Sequence, residues 1–65
     1  MSMDDYDRLV GVIKRCRTHY DLEGMDYEID QWYSVYAELI PEARLKRMYQ
    51  GLQDHIMLRK IFVRN

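Results

Sequence analysis

A chain of 65 residues has room for one domain and one core, and a domain of that size buries only ~60% of the surface its unfolded chain exposes. Hydrophobic residues make up 48%, which excludes wholesale disorder, and a single cysteine excludes an internal disulfide. One proline and three glycines leave little material for the turns of a many-stranded sheet, so the composition favours helices.

The net charge of −1 conceals a segregation along the chain. Residues 21 to 42 carry seven acids and no base, whereas residues 43 to 65 carry six bases and one acid, Asp54. Such a division gives strong local fields whatever the total. Two readings stand open: an acidic and a basic helix pair across the fold, or each faces a partner. A lone thiol suits a reducing compartment, which makes the cytoplasm the expected location. The acidic start, Met-Ser-Met-Asp-Asp-Tyr-Asp, predicts no secretory signal, and no run approaches the ~18 apolar residues of a membrane span.

The expected fold class is all-α: a single domain over 1–65, a small three-helix bundle, with an extended C-terminal tail as an option. The first helix is expected over about 4–21. Tyr6, Leu9, Val10, Ile13, Cys16 and Tyr20 recur at the spacing of one helical face. Ser2 can cap its start, Asp4 stands four residues before Arg8, and Gly24 is a candidate terminator. The second helix is expected over about 27–40 with Asp26 as its cap and Ile29, Trp32, Tyr33, Tyr36, Leu39 and Ile40 as its buried stripe. Pro41 ends it, because the residue before a proline is pushed out of helical geometry, and suits the first turn of the next.

The third helix is expected over about 42–58, with Leu45, Met48, Tyr49, Leu52 and Ile56 on one face and Gly51 tolerated inside it at ~1 kcal/mol. At ~100° per residue, Met57, Leu58 and Ile61 fall opposite that stripe, leaving the last turns apolar nearly all round. Three outcomes are consistent with this: a C-terminus clamped between other elements, a tail from Lys60 to Arg64 that leaves the helix, or contact with another subunit.

Catalytic arrangements are poorly supported. Cys16 and His19 lie three apart, but Cys16 belongs to the apolar stripe, and neither an orienting third group nor a glycine-rich loop accompanies them. One cysteine and two histidines without paired spacing make no zinc motif, and the acids of 21–30 do not follow the calcium-loop order. A non-enzyme without catalytic residues, metal or cofactor is expected. Direct nucleic-acid binding through Arg44, Lys46, Arg47, Arg59, Lys60 and Arg64 ranks third, because the pI is near 6 and the bases spread around the helix.

Two surfaces attract more attention. Asp26, Tyr27, Asp30, Gln31, Ser34 and Glu38 form the expected partner-binding face: carboxylates framing a rigid aromatic, suited to a protein partner with a basic surface. Carboxylates on a rigid helix can also imitate a phosphate backbone and so block a nucleic-acid-handling enzyme. Met57, Leu58, Ile61 and Phe62 form the second, a candidate self-association patch that would make the chain a homodimer or an assembly subunit. The stretch Trp32-Tyr33-Ser34 followed by Lys46-Arg47-Met48-Tyr49 resembles the short helical Hha-type modulators, which act by binding a nucleoid protein. That resemblance implies a non-catalytic binding role. The loop between the first two helices is shorter here than in that pattern, and no residue is carried over.

Overall fold

The computed structural model describes residues 4–63. Ser2 and Arg64 lie outside that range, and the side chain of Asp4 is likewise not described, so the Ser2 cap and the Asp4–Arg8 pair fall outside the described residues. Three helices are connected by short links: α1 (Asp4–Arg15), α2 (His19–Tyr36) and α3 (Glu42–Phe62). The protein is a small all-α three-helix bundle, elongated at 37 × 17 × 16 Å.

The first helix ends six residues earlier than its periodicity suggests, and the reason is local. Thr18 adopts an extended conformation, and its Oγ1 accepts from the Asp21 backbone N–H at 3.0 Å. Asp21 in turn accepts the Arg17 backbone N–H at 3.2 Å. This reciprocal arrangement is a capping-box variant, and it starts a new helix at His19. Two expectations are thereby corrected. Gly24 terminates nothing but lies inside α2, and Asp26 caps nothing but is an exposed residue of the same helix.

The new start also rephases the stripe. Leu22, Met25, Ile29 and Trp32 are buried at alternating spacings of three and four. Tyr20, expected in the core as part of α1, is 82% exposed. At the other end α2 stops at Tyr36 and the chain turns through Ala37–Leu39, which leaves Leu39 exposed while Ile40 folds back into the core. Pro41 then caps α3, its carbonyl accepting from Leu45 N–H at 2.9 Å.

The topology is up-down-up. The Tyr36 hydroxyl donates to Asp5 Oδ2 at 2.6 Å and Trp32 stacks near Tyr6, which sets α2 antiparallel to α1. An edge-to-face contact between Tyr33 and Tyr49 sets it antiparallel to α3. Arg59 Nε donates to the Cys16 carbonyl at 2.9 Å, so α1 and α3 finish at the same end of the bundle. Leu9, Ile13, Leu22, Ile29, Leu45 and Leu52 form the driest part of the core. Among the described residues no polar or charged residue is buried.

The helix α3 continues to Phe62, past the expected end at 58, and Val63 closes it by donating its N–H to the Arg59 carbonyl at 3.1 Å. Over residues 60–62 this replaces the extended tail with helix. The buried Val63 side chain supplies the physical reason, because it anchors the final turn to the core.

Candidate protein-binding surfaces

At ~100° per residue, the new start of α2 aligns Tyr20, Glu23, Gly24, Tyr27, Asp30, Gln31 and Ser34 along its outward side. Tyr27 is 67% exposed, and Asp26, Asp30, Gln31 and Ser34 are exposed as expected. Glu38 is exposed too, but it lies in the turn beyond α2 and does not continue the helical face. Tyr20 and Glu23 extend this surface by a full turn. Tyr20 was missed because the periodicity assigned it to the first helix, and Glu23, expected in a loop beside this surface, lies on the helix itself; the signal that finds both is Thr18-x-x-Asp21. Gly24 stands between the two tyrosines, exposed and with open space where a Cβ would be.

The acids on this surface are not neutralised by the basic helix beside them. Among the described residues the ion pairs are Arg8–Asp5 at 3.9 Å and Lys46–Glu42 at 3.1 Å, each within one turn of helix. None joins α2 to α3. Asp30 and Lys46 line the same groove of ≈ 460 Å³, floored by Tyr33 and Tyr49, without pairing across it. Among the described residues, then, α2 and α3 lie side by side without an ion pair within 4.0 Å between them.

At the end of the bundle where Cys16 and Arg59 meet, Met57, Leu58, Ile61 and Phe62 are all more than half exposed. Val63 and Ile56, their neighbours on α3, are buried, so the helix turns one apolar side inward and a second one out. Lys14, His55, Leu58, Arg59 and Phe62 enclose a shallow groove of ≈ 270 Å³ between α1 and α3. An apolar patch rimmed by cations is rare on a solitary domain unless something covers it.

Cys16 is buried at the end of α1, its thiol donating to the Val12 carbonyl at 3.4 Å. Burial, reinforced by the Asp21 carboxylate and partly offset by Arg59, raises its pKa above the ordinary thiol value. A thiol held protonated is a poor nucleophile at neutral pH. Among the described residues no three histidine, cysteine or acidic side chains gather where they could hold a metal ion, and no helix is long and apolar enough to cross a membrane.

No family model, no curated protein and no solved structure matches this chain.

Proposed function

We propose that this chain is a small, non-catalytic regulatory or inhibitory protein that binds the basic surface of another protein through the outward face of α2. Tyr27, Asp30, Gln31 and Ser34 form the centre of that face, with Tyr20 and Glu23 extending it and Asp26 and Glu38 flanking it. The observation that carries this reading is that the acids of α2 are exposed and, among the described residues, none is paired with the bases of α3. Exposed carboxylates steer a cationic partner and select against an anionic one, while a rigid tyrosine supplies contact area at little entropic cost.

A nucleic-acid-handling enzyme is one such partner, its phosphate-binding cleft being the basic surface that a row of helix-borne carboxylates would occupy. A reducing compartment such as the cytoplasm fits the free thiol of Cys16. The test compares the wild-type chain with Asp30→Lys/Glu38→Lys, both immobilised, in extracts of the native host at low and high salt. A partner retained by the wild type, released by salt and lost from a variant of unchanged circular dichroism supports the reading. A partner set indifferent to the reversal sinks it.

A further inference from the structure

The two surfaces described above are complementary to one another, and they lie where one molecule cannot join them. Helix α2 begins at the end of the bundle where α3 finishes, as the Arg59–Cys16 hydrogen bond next to the α2 cap shows. The first half of the acidic face, from Tyr20 to Tyr27, and the apolar tip of α3 with its cations therefore share one end of the bundle but point outward from different helices. We propose that a second copy of this chain occupies both: the α3 tip of each protomer packs on the α2 face of the other about a two-fold axis. The inference rests on the α2 face being a binding surface and goes beyond it: a second copy of the chain covers that face until the other protein displaces it.

Charge complementarity argues for this occupant over the others. Tip against tip would bring Lys14, Arg59 and Lys60 onto their own copies, and like charges forced together in an interface are strongly unfavourable. An anionic bilayer or a nucleic acid would attract those cations but would also meet Asp21 and Glu23, which belong to the first turns of α2 at the same end. Both acids are exposed and repel an anionic surface across the Debye length of ~8 Å to 10 Å. Only a surface that alternates charge suits both, and the chain carries one. Ile61 and Phe62, each 74% exposed, supply apolar area on one side of the contact, and Tyr20 and Tyr27, 82% and 67% exposed, supply it on the other. Because each protomer contributes both halves at one end, a two-fold axis satisfies two contacts and leaves no open surface to propagate a filament.

Sedimentation equilibrium of the purified chain at low salt tests the proposal. One variant carries Glu23→Lys, Asp26→Lys and Asp30→Lys; the other carries Lys14→Glu and Lys60→Glu, which leaves the Arg59 hydrogen bond to Cys16 intact. The wild type should move from 8.0 kDa toward twice that mass as concentration rises, and less so at high salt. Each variant alone should dissociate at least ~10-fold more readily, and an equimolar mixture should recover the dimer because both contacts are again opposite in charge. Ile61→Ser should weaken the dimer without changing its salt dependence. Wild type that stays at 8.0 kDa throughout overturns the inference, as does a dimer indifferent to the α2 reversals, which would mean tips pairing with tips. Binding to phosphatidylserine vesicles that the α2 reversals strengthen, with no dimer in solution, overturns it in favour of a lipid surface. A lysine-rich peptide separates this inference from the broader reading. If a monomeric wild type binds that peptide and the α2 variant does not, the acidic face remains a binding surface and only its occupant here is wrong.

Discussion

The two ends of this bundle differ in how many aromatic and apolar side chains they pack and how many they present. At the end formed by the start of α1 and the close of α2, Trp32 sits between Tyr6 and Tyr36, with ring centroids 6.1 Å and 5.7 Å away, and the Tyr36 hydroxyl is bonded to Asp5. The rings there pack on one another, while Val35 and Leu39 close by remain exposed. At the opposite end, Met57, Leu58, Ile61 and Phe62 face solvent, and the fold needs from that turn only Ile56 and Val63. A domain this small has little stability to spare, and these four apolar residues, outside its core, are the ones the proposed self-association would cover.

Substitutions that separate the ends should give a graded series. The largest effect belongs to the shared core: Leu52→Ala, at a position with no exposure, should cost about 2–5 kcal/mol. Urea denaturation followed by circular dichroism would show it as unfolding in part or in full. Next comes Tyr36→Phe, which removes a hydroxyl donating to a carboxylate and should cost about 1.5–3 kcal/mol. Tyr20→Phe, at an exposed ring, is its control and should cost nothing measurable. Equal effects from the two tyrosines would contradict the asymmetry between packed and presented aromatics.

The glycines give a smaller and more diagnostic contrast. A Cβ at Gly51 would lie 2.6 Å from the Tyr6 hydroxyl, so Gly51→Ala must displace a ring packed near Trp32. The expected cost is about 1 kcal/mol despite alanine's better helix propensity. In a Tyr6→Phe background the clash disappears, and the same substitution should stabilise by up to about 1 kcal/mol. Gly24→Ala, with open space around it, should stabilise the monomer by a similar amount of about 1 kcal/mol without any second change. Failure of Tyr6→Phe to reverse the sign at Gly51 would show that the close approach is not what excludes a side chain there. Smallest of all, Met57→Lys and Ile61→Lys should change monomer stability by no more than about 0.5 kcal/mol. A loss well above that, at protein concentrations too low for association, would mean that the tip belongs to the core.

Much of this arrangement is legible without coordinates. The stripe Leu9–Ile13–Cys16 and the stripe Leu45–Leu52–Ile56 sit where their periodicity places them, and Tyr27, Met57 and Ile61 face outward as their angular positions require. The segment from Cys16 to Asp26 is where the reading fails. Two signals compete there: an apolar period running through Tyr20, and a cap of modest strength at Thr18. Gly24 tilts the choice the wrong way, since a glycine ends many helices but can also lie within one at ~1 kcal/mol. What decides is burial. Starting α2 at His19 places Leu22 and Met25 in the core, and two such side chains are worth about 1.5–3 kcal/mol each, more than the glycine costs.

By itself, then, the sequence determined the helical class, two of the three buried stripes and the separation of acid from base, because periodicity, composition and charge are carried by residues close along the chain. Only the tertiary structure decided where α2 begins, that α3 runs to Phe62, and that the acids of α2 and the bases of α3 remain unpaired among the described residues. Those outcomes depend on how antiparallel helices are rotated against each other. That rotation is set by the burial of Leu22, Met25, Ile29 and Trp32 against the other two helices, a balance that no local stretch of the chain contains.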